Sequence, residues 1–349
     1  MRAARLHRYD TSLAGPEYLV IEDVPDPTIV EPDDVIVRID GAGVCRTDLH
    51  IIEGQFRDRV PVTLPYTPGH ENAGFVAAVG KGVRRFKPGD AVIVYPQVTD
   101  GTCLACRRGD DMHCEQGAFP GLTRDGGFAE YLLTKERNLV RLPDGIAPRA
   151  VAPHADAGLT AYHAVKRALR WLDPGDPVVL IGFGGLGHIA FQLLQNLAGV
   201  RTIVIDRSDL ALHLAHDLGA AWTLRADTET DIVAEVRHLT NGRGAAVVLD
   251  FVGEGPTPAQ GVAMTRRGGA YFVIGYGGRL EIPTIDLVDQ EKAIVGNLVG
   301  TYADLVELME LVADGRIKLA VTYYPLAQVN QALRDLRDGR VKGRAVLVP

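Results

Sequence analysis

The sequence predicts an α/β protein of two parts: a β-rich part that holds most of the chemistry-bearing residues, and a doubly wound parallel sheet of the dinucleotide-binding kind. Three observations carry this. The strand-like stretches change character near residue 150. Six apolar runs then alternate with helical stretches. The first of those runs ends in a glycine-rich turn, "GFGGLG", Gly182 to Gly187. A chain of 349 residues is long enough for about two domains.

Up to about residue 150, "DVIVRIDGAGV", "ENAGFVAAVG" and "DAVIVYP" read as short apolar strands, and "EPDD" and "FKPGD" as turn signals. From about residue 155 the strands are "PVVLIG", "RTIVID", "AWTL", "AAVVLD", "AYFVIG" and "AIVGNLVG". They are apolar on both faces, as a parallel sheet covered by helices requires. "SDLALHLAHDLGA" reads as a helix with an N-cap serine and a terminal glycine. The tail reads as two amphipathic helices, "TYADLVELMELVADGRIK" and "YYPLAQVNQALRDLRDG", and a last strand, "GRAVLVP". The pattern leaves open which part the tail packs on.

Composition narrows the function classes. Hydrophobic residues at 46% and charged residues at 23% suit a globular core. A net charge of -7 argues against nucleic acid or an anionic membrane as partner. The start, "MRAARLHRYDTS", has no apolar core or small-residue cleavage site, so no secretory signal is expected. The longest apolar run, "VVLIGFGGLGHIAFQLL", is interrupted by glycines and reads as strand, turn and helix rather than as a membrane span. Four cysteines without a secretion signal favour metal or catalytic thiols over disulfides, and a cytoplasmic location.

The glycine turn has a stated physics. Gly182 permits a tight turn, Gly184 lets backbone approach a pyrophosphate, and Gly187 permits close helix–strand packing. Gly185 and Leu186 complete the candidate cofactor-binding turn, and the following helix N-terminus attracts the anion. Asp206, closing the next strand, would accept hydrogen bonds from the adenosine ribose and favour NAD over NADP; Arg207 beside it could soften that exclusion. The competing reading is a structural turn in an unrelated α/β fold.

Other candidates are scattered. "DGTCLACRRGDDMHC" clusters Cys103, Cys106 and Cys114, three quarters of a tetrahedral metal site, or else a redox pair or an empty loop. "GAGVCRTDLH" holds Cys45, Thr47, Asp48 and His50, "PGHENAG" holds His70 and Glu71, and "PHADAGLT" holds Asp156. Each is weak alone. A lone cysteine is usually a small buried hydrophobe, and Asp156 could simply cap a helix.

Together, "GVCRTDLH", "PGHENAG", the C-x-x-C loop, "GLTAYHAV", "GFGGLG" and "KGRAVLVP" resemble the zinc-dependent medium-chain alcohol dehydrogenases, over essentially the whole chain. The resemblance implies a GroES-like catalytic domain, residues 1–153 and 298–349, interrupted by a Rossmann NAD-binding domain, residues 154–297. It assigns the tail to the catalytic domain.

It further implies that Cys45, His70 and Asp156 hold a catalytic zinc with one open position. Many family members have a second cysteine where this chain has Asp156. Glu71 would be a transient ligand, and Asp48 would accept the remaining N–H of His70. A zinc-bound alkoxide would deliver hydride to NAD. Thr47 would take the alcohol proton and pass it through a ribose hydroxyl to His50 and solvent. Thr47 and His50 could instead be ordinary surface polars.

Arg46 and Arg344 fall where relatives contact the cofactor pyrophosphate, although either could be solvated charge. The family's structural-zinc pattern, C-x2-C-x2-C-x7-C, places Asp100 at its first position, so Asp100, Cys103, Cys106 and Cys114 would close a tetrahedron.

The expected activity is a zinc- and NAD-dependent alcohol dehydrogenase or ketone reductase acting on a small-molecule alcohol or carbonyl. A polyol or amino-alcohol dehydrogenase is the alternative. A non-catalytic cofactor-binding relative has no use for an open metal site, and a zinc-free quinone reductase has none for Cys45, His70 and the metal loop. A homo-oligomer is expected, a tetramer or a dimer.

Overall fold

The computed structural model describes every residue except Pro61. The chain forms two compact units. One comprises Met1–Leu159, Thr301–Asp314 and Leu319–Pro349, the other Thr160–Gly300 and Gly315–Lys318.

The first unit is organised on the strand Asp34–Val44. Val35, Ile36, Val37 and Ile39 make it strongly strand-forming, and all its residues but Arg38 are buried. It pairs antiparallel with Glu71–Val79 along one edge. Along its other edge it pairs with Tyr131–Lys135 and then with the closing strand Arg344–Val348. The core beneath includes Val35, Val37, Val76, Val92, Phe128 and Leu347.

The tail therefore belongs to this unit. Its helix Tyr302–Ala313 starts at a reciprocal cap: Asp304 N–H donates to Thr301 Oγ1 and Thr301 N–H to Asp304 Oδ2, both at 3.0 Å. One element differs from expectation. The "YYP" stretch, read as the start of a helix, lies in the strand Val321–Pro325, parallel to Arg344–Val348. β-Branched and aromatic residues suit a strand, and this one sits at the end of the sheet order, where a terminal proline is tolerated.

The second unit is a six-stranded parallel sheet. In spatial order its strands are Trp222–Arg225, Arg201–Asp206, Pro177–Ile181, Ala245–Asp250, Thr265–Val273 and Ala293–Gly296. All six coincide with the expected apolar runs. In chain order this is 3-2-1-4-5-6, the doubly wound arrangement, whose direction reverses beside Pro177–Ile181. Ligands bind such sheets beyond the carboxyl ends at that reversal, which is where the glycine turn lies. The helix Asp209–Asp217 begins at Ser208, whose hydroxyl accepts from Ala211 N–H at 3.4 Å, and Gly219 follows it at φ +92°. Among the described residues, no helix is long and apolar enough to cross a membrane.

Candidate metal centres and nucleotide turn

Cys45 sits where Asp34–Val44 ends and the short helix Arg46–Ile52 begins. Its N–H donates to Asp48 Oδ2 at 2.8 Å. The other oxygen of Asp48 faces His70 Nδ1 at 3.4 Å. His70 directly precedes the strand Glu71–Val79 and follows Gly69. That glycine is at φ +100°, and a side chain there would collide with Phe128. Asp156 follows the short helical turn Ala152–Ala155. Its Oδ2 lies 3.5 Å from His70 Nε2 and 3.9 Å from Cys45 Sγ. One donor atom from each of Cys45, His70, Glu71 and Asp156 lies within 4.8 Å of the others.

These distances suit zinc. Bonds of about 2.3 Å to sulfur and about 2.0–2.1 Å to nitrogen and oxygen give tetrahedral edges of roughly 3.4–3.7 Å. The electrostatics agree. Burial alone would make His70 shed its proton, yet Asp48, Asp156 and Cys45 hold its pKa well above the ordinary imidazole range. The buried pocket thus demands a positive charge, and a divalent cation among S, N and O donors supplies one.

Glu71 is held from behind. Arg344 grips its carboxylate with two N–H groups, Nε to Oε2 at 3.0 Å and Nη2 to Oε1. Ala157 N–H adds a third bond to Oε1 at 3.2 Å. Gly43 makes room, since a Cβ there would lie 1.9 Å from Glu71 Oε2. Burial pushes the Glu71 carboxyl up against the pull of Arg344, and burial of the guanidinium is outweighed by Glu71, which raises Arg344.

Two sequence expectations change here. Arg344 is not a solvated charge: it is 4% exposed and committed to Glu71. Its strand lies inside the sheet, between Val321–Pro325 and Asp34–Val44, and its guanidinium meets the buried carboxyl of Glu71. His50 is likewise no surface polar and no open outlet to solvent. It is 4% exposed, because its helix also buries Leu49, Ile51 and Ile52 in the core of this unit. Thr47 is half-buried, and Arg46 is exposed.

The loop Asp100–Cys114 makes a second cluster. Asp100, Cys103, Cys106 and Cys114 present one donor atom each within 4.8 Å of the others. Cys103 Sγ and Cys114 Sγ are 3.9 Å apart, near the roughly 3.8 Å edge of a zinc–thiolate tetrahedron. All four cysteines are free thiols. The N–H groups of Cys103 and Thr102 donate to Asp100 Oδ1 and hold its carboxylate well below the usual range. Burial, with Cys103 and Cys114 close by, pushes the Cys106 thiol up to about 12. That is the signature of crowded sulfurs suited to a shared cation. Four protein donors leave no open position, which suits a structural rather than a catalytic metal.

In the second unit, Gly182 is at φ +88°, and a Cβ on Gly187 would lie 2.1 Å from Gly182 O. A Cβ on Gly184 would meet nothing within 4 Å, so that stretch of backbone is open to an approaching group. Asp206 is anchored beside the turn, accepting from Phe183 N–H at 2.6 Å and Ser208 N–H at 2.8 Å. Arg207 is exposed. Gly185 and Leu186 lie between strand and helix, Leu186 as the residue before the helix Gly187–Leu197.

Sequence reasoning missed Phe119. Its ring stands edge-on to His70, centroids 6.0 Å apart. A tight turn fixes it, with Phe119 N–H donating to Thr123 Oγ1 at 2.7 Å and Thr123 N–H to Phe119 O at 2.8 Å. A lone aromatic in "GAFPGLT" carries no periodic signal that could have marked it.

Comparison with known proteins agrees in both units. Residues 31–144 match the alcohol dehydrogenase GroES-like domain, and residues 185–314 match the zinc-binding dehydrogenase domain. An NAD-dependent alcohol dehydrogenase of Sulfolobus acidocaldarius is 36% identical, with 99% of each chain covered. A D-arabinose 1-dehydrogenase (NADP(+)) of Saccharolobus solfataricus is 37% identical over 95% of each. The crystal structure of the alcohol dehydrogenase of Aeropyrum pernix superposes with a TM-score of 0.95, at 46% identity over the whole of both chains.

Proposed function

The chain belongs to the zinc-binding alcohol dehydrogenase family, and we propose that it interconverts small alcohols with aldehydes or ketones using Cys45, His70 and Asp156 as the catalytic metal centre. It is an NAD-dependent zinc oxidoreductase. The observation that carries the site assignment is the convergence of a thiol, an imidazole and a carboxylate in a buried pocket that favours positive charge. Bound there, zinc supplies Lewis acidity that makes an alcohol hydroxyl acidic near neutral pH, and NAD accepts the hydride.

The chain's own residues do the rest. Asp48 orients the His70 ring from the Nδ1 side. Arg344 holds the Glu71 carboxyl beside the centre with two N–H groups, available as a further donor. Thr47 would accept the alcohol proton while passing its own through a ribose hydroxyl of the cofactor to His50, three residues along the same helix. Arg46 contributes an exposed guanidinium to the cofactor phosphates. Gly182, Gly184, Gly185, Leu186 and Gly187 cradle the pyrophosphate, and Asp206 takes the adenosine ribose hydroxyls. Asp100, Cys103, Cys106 and Cys114 hold a structural zinc.

Phe119 favours a substrate with an apolar body over a sugar, because its half-buried ring lies against the metal-ligand imidazole. Free thiols at both centres support the cytoplasm as location. Exposed Ile285, Val288 and Leu298 beside the edge strand Ala293–Gly296 support a homo-oligomer, of which a tetramer is our choice.

The test is nicotinamide absorbance with NAD and with NADP, against primary, secondary and aromatic alcohols, polyols and D-arabinose. The expected result is reduction of NAD by an apolar alcohol, lost on chelation. Zinc-replete protein that binds NAD but turns over none of the panel would overturn it.

A further inference from the structure

A cavity of about 810 Å³ in the first unit is an open groove on the sheet, lined by none of the metal-cluster residues. Its size falls in the roughly 300–1,000 Å³ range of small-molecule sites. Cross-strand pairing lays a row along its floor: Arg38 opposite Phe75, and Phe75 opposite Ala91. The small side chain of Ala91 leaves depth beside the ring. The Arg38 guanidinium lies over Phe75, 5.1 Å from the ring centroid. Arg141 and Arg149 complete the walls.

The charges divide cleanly. Arg149 is locked to the buried Asp40 by two side-chain bonds, Nε to Oδ2 at 3.0 Å and Nη2 to Oδ1 at 2.6 Å. Arg141 is tied to the half-buried Asp90 at 2.9 Å and to Arg85 O. These two cations are neutralised and held in place. Among the described residues, Arg38 is in no ion pair, its nearest negative influence being Asp40, whose carboxylate is already taken by Arg149, and the exposed Asp144 is in no ion pair either. A planar cation stacked on an aromatic ring presents its edge for bidentate binding of a carboxylate. Asp144 at the rim disfavours a second negative charge.

We propose that this groove binds a small organic monocarboxylate, with the carboxylate on Arg38 and a flat apolar body over Phe75 and Ala91. The site is separate from the dehydrogenase centre and does not depend on that assignment. Phosphate esters and other polyanions are excluded by the charge balance.

The experiment is calorimetric titration of the zinc-loaded protein with 2-naphthoate, with uncharged 2-naphthol as control. One saturable site per chain is expected, absent with 2-naphthol. Arg38→Met should weaken it about tenfold or more, the scale of a lost charge-assisted pair. Asp144→Asn should strengthen it, and neither change should alter NAD-linked turnover. No saturable heat, or unchanged binding in Arg38→Met with the heat abolished by chelation, would overturn the proposal and place any binding at the metal centre.

Discussion

Arg344 and Glu71 form a buried ion pair beside Cys45, His70 and Asp156, 4% and 0% exposed. Neither charge has water to replace its partner. Removing one leaves the other uncompensated, the costly way to break a buried pair. Arg344→Met should therefore lower stability by about 3–5 kcal/mol, read by chemical denaturation. Glu71→Gln/Arg344→Met should recover part of it. A single Arg344→Met that only raises KM for NAD, with stability unchanged, would show that Arg344 serves the cofactor and not Glu71.

Asp156 decides whether the cluster is a metal centre at all. Asp156→Ala should abolish turnover and remove about one zinc per chain, because one of the three protein donors of the tetrahedron is lost. Circular dichroism should stay native-like, since Asp156 lies between the helical turn Ala152–Ala155 and the helix Ala157–Ala168 and inside neither. Full activity in Asp156→Ala would reduce it to a helix cap.

The raised pKa of His70 has a signed consequence. In the metal-free protein, the protonated ring contributes stability below the unfolded value of about 6.5, and that contribution is lost as pH rises through the raised folded value. Zinc needs the ring neutral. Loading metal-free protein at pH 7.5 should then release a proton from His70, although a free imidazole would already be neutral. Calorimetry in buffers of different ionisation enthalpy counts that proton. Zinc affinity should weaken about tenfold per pH unit for each proton displaced as pH falls. Zinc binding that is flat between pH 6 and 8 would contradict the charge balance of the pocket.

The Asp100 loop makes a separate stability prediction. Cys106→Ser should lose about one zinc equivalent and lower Tm by roughly 2–8 °C, the equivalent of about 1–2 kcal/mol for a domain of this size. The loop has no core of its own: in the helix Leu104–Arg108 no residue is buried, and Leu104 is 60% exposed. Zinc content near one per chain in the wild type, with Cys106→Ser equally stable, would mean that the loop holds no structural metal.

Much of this was legible because it is local. The six strands of the second unit read directly from apolar runs, since a strand buried on both faces has no polar side to blur the pattern. The glycine turn read from spacing, because φ +88° at Gly182 and the crowding at Gly187 admit little else. The three clustered cysteines read from their spacing in one loop, and Asp100 joined them only through the family's pattern. The strand Val321–Pro325 was illegible for the opposite reason. A short stretch before an amphipathic helix takes its state from a neighbour, here the closing strand, which no local window contains.

By itself the sequence determined the fold class, the glycine turn and, through its combined motifs, the residues of the two candidate metal centres. Only the tertiary structure decided how those donors are held: Asp48 behind His70, Glu71 locked to Arg344, His50 packed inward and Phe119 against the imidazole. Residue type and spacing set what a side chain can donate. Burial and the charge opposite it set whether it is free to do so, and both come from segments up to 273 residues apart in the chain.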